Sequence, residues 1–157
     1  MKQQQFFLDQ SEMEEGFFEN ARLIAVHSEL AGYQLIHRIN RYLDYEFRAD
    51  PEHNLKMKFS AKEVWGTERY GDAIIEFNFY TNIMPPCITE MYFYENVSDG
   101  YHLLPQLRFY NYLILIYHSD MLLYDDDILD ILESIQEIKA IKEVDIAALE
   151  GKESLMF

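Results

Sequence analysis

A single cysteine, Cys87, leaves this chain without any internal disulfide, as befits a reducing compartment. Cys87 follows Pro85-Pro86, has no activating neighbour and reads as structural or incidental. Glycine (6) and proline (4) are scarce in 157 residues, which leaves little room for a long flexible linker. Long apolar runs are absent too: the longest, Tyr112 to Tyr117, is far too short to cross a bilayer. The stretch from Met1 to Asp9 lacks the apolar core of a signal peptide. These shortages predict a cytoplasmic protein with no membrane partner.

Basic residues are outnumbered, 13 against 28 acidic, for a net charge of −15. Such a field repels nucleic-acid phosphates and anionic lipids, so neither is an expected partner. It serves solubility, a docking face for a basic partner, or imitation of a polyanion. Also missing are Gly-x-Gly-x-x-Gly, a Walker loop, Gly-x-Ser-x-Gly and Cys-x-x-Cys, so no cofactor is expected.

What is abundant is apolar and aromatic. With 49% hydrophobic residues, 12 Tyr and 11 Phe, the chain can build a core, which excludes wholesale disorder. Residues 1–20 are polar and acidic with two aromatic pairs, Phe6-Phe7 and Phe17-Phe18, and read as an N-terminal arm. Residues 21–157 read as a single α/β domain.

Leu23 to Val26 is a continuous apolar run, the mark of a strand covered on both faces. Ser28 is placed to cap a helix from Glu29 to about Leu43. Leu35, Ile36, Ile39 and Leu43 face the core, with His37, Arg38, Asn40 and Arg41 on the other side. From Tyr45 to Asn96 the pattern is strand-like. Leu55, Met57 and Phe59 alternate with lysines; Ile75, Phe77 and Phe79 alternate with Glu76, Asn78 and Tyr80; Met91 and Phe93 alternate with Tyr92 and Tyr94. Phe109 to Tyr117 predicts a central strand. A second helix is expected from Asp125 to about Ile141, then a short strand over Val144 to Leu149 and an apolar tail, Leu155-Met156-Phe157.

This order predicts an α+β fold of ferredoxin-like, split β-α-β type. It is a sandwich with a mostly antiparallel sheet, two helices on one face and an extra β-hairpin. The two continuous apolar strands then occupy the sheet centre. Two helices cover only one face of them. The other face needs the 1–20 arm, the hairpin between residues 55 and 95, or a second copy of the chain.

Asp120 and Asp125-Asp126-Asp127 surround a strand-to-helix loop. Clustered carboxylates can hold Mg²⁺ or Ca²⁺, but the spacing is not that of a calcium loop, and carboxylates at a helix start are stabilised by its free N–H groups. Capping is therefore preferred and no metal is assigned. The five histidines show no ligand spacing. Trp65, Tyr92 and Tyr94 are candidate interface side chains. Asn96-Val97-Ser98 fits the glycosylation pattern, without meaning in a cytoplasmic protein.

The stretch Leu104-Pro105-Gln106-Leu107-Arg108-Phe109-Tyr110-Asn111-Tyr112 resembles the motif of the IPExxxVDY proteins. Leu104 takes the Ile position and Gln106 the Glu position, Tyr110 stands for Val and Asn111 for Asp, and Pro105 and Tyr112 match. The opening strand and helix and the Leu-x-Phe tail are similar as well. The resemblance implies a small bacterial cytoplasmic domain from a family without an assigned activity. Read from the residues, the motif is structural. Pro105 suits the start of a strand, Gln106 and Asn111 can satisfy backbone groups, and Tyr112 begins the buried part.

The expected function is a non-catalytic protein-interaction or regulatory domain with a protein partner or a homodimer. One alternative is a small metal- or ligand-binding enzyme or sensor built on Asp120 and Asp125 to Asp127. The other is an acidic polyanion mimic that binds a basic protein.

Overall fold

The computed structural model describes residues 16, 18–19, 21–43, 45–59, 73–83, 90–117 and 125–155. Most of the predicted arm, Trp65, Cys87, His118, Asp120 and Met156-Phe157 lie outside them, as do the side chains of Asp125, Asp126 and Asp127.

The elements follow in order: β1 (Arg22–Ser28), α1 (Gly32–Leu43), β2 (Arg48–Ala49), β3 (Leu55–Phe59), β4 (Ala73–Phe77), β5 (Phe79–Ile83), β6 (Glu90–Glu95), β7 (Val97–Ser98), β8 (Tyr101–His102), β9 (Tyr112–Ile116), α2 (Asp125–Ser134) and β10 (Ile138–Val144). Among the described residues, six strands form one antiparallel sheet in the order β10-β1-β9-β6-β5-β2. The first four positions are the split β-α-β order, with β1 and β9 paired at the centre. The fold is α+β; in the full six-stranded sheet β9 is central, whereas β1, expected there too, is interior but next to the edge strand β10.

Both faces of the sheet are buried. Ile24 and Val26 of β1 and Ile114 and Ile116 of β9 pack under Leu35, Ile36 and Ile39 of α1 and Ile128 and Leu132 of α2. Leu23, Ala25, Leu113 and Leu115 point the other way. They meet Leu55, Ile75 and Phe77 of the β3–β4 hairpin, Leu103, Leu104 and Leu107, and Leu149 and Leu155 near the C-terminal end. Of the three covers the sequence allows, the hairpin supplies Leu55, Ile75 and Phe77 and the arm supplies Phe18, joined by the 103–107 loop and the C-terminal turns. A second copy is not needed for burial.

The hairpin reaches that face because one extended segment changes sheets. β4 pairs with β3 in a two-stranded sheet, and β5 pairs with β6 in the main sheet; only Asn78 separates them. The alternation of Ile75, Phe77 and Phe79 runs through the bend, and all three enter the same core.

Several expectations are corrected. Helix α1 begins at Gly32, not Glu29. Ser28 stays in β1, with its hydroxyl donating to the Glu137 carbonyl at 2.8 Å, and Gln34 accepts from the Ala31 N–H at 3.1 Å, the reach-back half of a capping box. Asn40, assigned to the outer face, instead holds Phe47: its Nδ2 donates to the Phe47 carbonyl and its Oδ1 accepts the Phe47 N–H. The central strand is Tyr112–Ile116 rather than Phe109 to Tyr117, and Phe109 is 75% exposed. Pro105 opens a 3-10 turn, Pro105–Leu107, and not a strand.

The second helix stops at Ser134, and Ile138–Val144 is the edge strand β10. Its apolar residues, Ile138, Ile141 and Val144, sit three apart and so continue the helical period of Ile128, Ile131 and Ile135. The cause is a bulge: His27 pairs with Ala140 but Ser28 with Ile138. The extra residue puts Ile138 and Ile141 on the helix-covered face together, and Val144 on the opposite one. The strand expected over Val144 to Leu149 is a 3-10 turn, Ile146–Ala148, in which Asp145 accepts from the Ala147 N–H at 3.1 Å.

Candidate functional site

The motif segment folds as a loop around a buried amide. Asn96 has no exposed surface. Its Nδ2 donates to the carbonyls of Tyr110 (2.9 Å), Leu107 (3.2 Å) and Leu104 (3.4 Å), and its Oδ1 accepts the Leu104 N–H at 2.7 Å. The Asn96 carbonyl accepts the Leu103 N–H at 2.8 Å. One side chain thus satisfies carbonyls of a loop that has no ladder partner of its own. The glycosylation pattern at Asn96 is closed by burial.

The polar motif side chains are tied to backbone. Asn111 pairs with both main-chain groups of Ser28, and Gln106 Oε1 accepts the Glu150 N–H at 2.9 Å. The Tyr112 hydroxyl donates to the Leu30 carbonyl at 2.5 Å. Leu104 and Leu107 enter the core, whereas Pro105 is exposed. At the tip, the Arg108 guanidinium lies over the Phe109 ring, 5.3 Å from its centroid. Sequence reasoning passed over Asn96, Asn40, Asn54 and Asn82, which do the same work: Asn54 accepts the Phe79 N–H and Asn82 the Glu46 N–H, each at 3.1 Å. For Asn54, Asn82 and Asn96 the available signal was an asparagine at or beside a strand end, where a short amide can reach backbone that the ladder leaves open; Asn40, inside α1, carried no such signal.

Glu95 lies beneath the start of α1. A Cβ at Gly32 would overlap the Glu95 carboxylate oxygen and come within 3.1 Å of the Tyr80 hydroxyl, so glycine lets the helix sit on this strand. Asn78 Nδ2 donates to Glu95. Burial pushes the Glu95 carboxyl above its ordinary value, and the bond from Asn78 pulls it partly back. Burial, with Glu95 nearby, also raises the Tyr80 phenol, and it pushes Tyr112 up to about 12.

The outer face of α1 differs from the rest of the chain. None of its 12 residues is acidic. Tyr33, His37 and Arg41 lie four apart along one stripe, and Gln34, Arg38 and Tyr42 along the next. Tyr33 is 69% and Tyr42 51% exposed. A shallow cleft of about 550 Å³ runs along Leu30, Tyr33, Gln34, His37, Arg38 and Arg41, and a second of about 510 Å³ is lined by Arg38, Arg41 and Tyr42. Arg38 is steadied by Glu137 at 3.4 Å. No ion pair of Arg41 occurs among the described residues.

The expected interface tyrosines are interior. Tyr92 stacks on Phe79 with ring centroids 5.6 Å apart and donates to Glu90, and Tyr94 donates to the Leu155 carbonyl at 2.8 Å. Burial raises both phenols well above their ordinary value. They are 5% and 0% exposed, so neither is available to a partner. No group of three or more His, Cys, Asp or Glu side chains able to hold a metal occurs among the described residues. No helix among them is long and apolar enough to cross a membrane. Comparison with protein-family models, with curated proteins and with solved structures gives no match.

Proposed function

We propose that this chain is a non-catalytic protein-interaction domain whose partner docks on the outer face of α1. The observation that carries the reading is the acid-free helix face, with Arg38, Arg41, His37 and two exposed tyrosines, on a chain of net charge −15. Arginine and tyrosine are the side chains that most often anchor protein interfaces. The aromatic sheet face, the other surface of this composition, is occupied by the hairpin and the C-terminal turns. Kinship with the IPExxxVDY proteins belongs to the same proposal. Its support is that the motif positions from Leu104 to Tyr112 form one connected structural unit. A cytoplasmic setting is supported by the single cysteine.

The test is capture of partners from the native extract with the full chain and with an Arg38→Ala, Arg41→Ala double variant of unchanged far-ultraviolet spectrum. A stoichiometric partner held by the parent and released by the variant supports the reading. A partner held equally by both moves the interface elsewhere, and absence of any stoichiometric partner removes the proposal.

A further inference from the structure

We infer that the outer face of α1 takes an acidic peptide segment of its partner, laid along the two stripes from Tyr33 to Tyr42. The inference rests on the reading of that face as an interaction surface and names the chemistry that fits it.

Charge complementarity comes first. The two arginine side chains offer planar, forked donors that match carboxylates two bonds at a time. Arg38 is already oriented by Glu137, so less side-chain freedom is lost when a second carboxylate arrives. Arg41 carries its charge unneutralised among the described residues. Glu29 and Glu137 border a separate small hollow with Lys139, and their charges favour an acidic segment that runs toward Arg41.

Shape comes second. Small-molecule sites enclose most of their ligand. Here the two hollows are shallow and share Arg38 and Arg41 in their walls, which suits an occupant extended along the helix. The Tyr33 to Arg41 stripe spans about 12 Å of helix, the reach of roughly four extended residues. Tyr33 and Tyr42 stand at the two ends of the face and supply apolar contact beside the charges. The chain's own net charge of −15 opposes a long polyanion, whereas a short acidic segment meets mainly the local field, since charges beyond about 8 Å are screened at physiological salt.

The experiment titrates the full-length, ¹⁵N-labelled protein with a synthetic peptide of about ten residues alternating Glu and Ser, and with its Gln-for-Glu counterpart, at physiological salt. Shifts confined to 33–42 with the Glu peptide only, lost at least about tenfold in affinity in Arg41→Gln and in 1 M salt, are the expected result. Equal shifts from the Gln peptide, or shifts that Arg41→Gln leaves intact, overturn the inference. If the Glu peptide moves nothing while the extract still yields a partner dependent on Arg38 and Arg41, the acidic-segment inference falls and the interaction reading stands. If neither binds, both fall.

Discussion

The side-chain amide of Asn111 closes on both main-chain groups of Ser28: Oδ1 accepts the Ser28 N–H at 3.0 Å, and Nδ2 donates to the Ser28 carbonyl at 2.6 Å. Ser28 is wholly buried and ends the interior strand β1, where the ladder with β9 has already stopped at Val26 opposite Tyr112. Asn111 stands in for the next pair of ladder bonds and fixes how the chain leaves β1 toward α1. Asn111→Ala leaves two buried backbone groups unpaired. It should cost about 2–4 kcal/mol, seen as a lower urea midpoint at unchanged slope. A loss under half a kcal/mol would mean that water replaces the amide without penalty.

Asn96 is the larger case, since its amide serves three carbonyls and one N–H. Asn96→Ala should destabilise by about 3 kcal/mol, and Asn96→Asp by more, because a carboxylate would face carbonyl oxygens it cannot bond. Amide exchange at Leu103 and Leu104 should quicken in both. An Asp variant as stable as the parent would show that the loop is held by its leucines alone.

Gly32 and Glu95 should be coupled. Gly→Ala inside a helix ordinarily adds about 0.5–1 kcal/mol. Here the new methyl must displace the Glu95 carboxylate from Asn78, so Gly32→Ala is expected to destabilise the parent. In a Glu95→Ala background the same substitution should stabilise. A double-mutant cycle reads the difference, and additive effects would show that Glu95 swings aside freely.

The pH dependence follows from the same carboxylate. Glu95 is raised above 4.5 by burial, so the folded chain keeps a proton where the unfolded chain has lost it. Its contribution to stability therefore declines as pH rises from the ordinary carboxylate range through the raised value, and returns on acidification. Glu143 runs the other way: its bond to Arg22 lowers it, so its stabilisation is present above the ordinary value and is lost as pH falls through the lowered one. Glu143 is largely exposed, so this opposing effect is small. Glu95→Gln should be more stable than the parent near neutrality, with the difference shrinking toward zero below the carboxylate range. Urea midpoints across that interval check it, and a constant difference would mean that charge at Glu95 is irrelevant.

Apolar runs and alternation were enough to place β1 and β9 side by side in the sheet interior, to orient α1 by Leu35, Ile36 and Ile39, and to show that a second cover was required. Those features are local, because burial on one face or two is written in the spacing of apolar side chains. That Gln106 and Asn111 could satisfy backbone groups was legible from their side-chain amides. Tertiary structure alone decided the rest. The bulge opposite His27 made a strand look like the end of a helix. The bend at Asn78 carried β4 out of the main sheet to become part of that cover, and buried Tyr92 and Tyr94 beneath it. Asn96 gained its role only when the loop wrapped around it. The basic face of α1 was visible as His37, Arg38 and Arg41 on the polar side of a helix. Its isolation within an acidic molecule depends on which side chains the fold leaves outside, and spacing along the chain cannot set that.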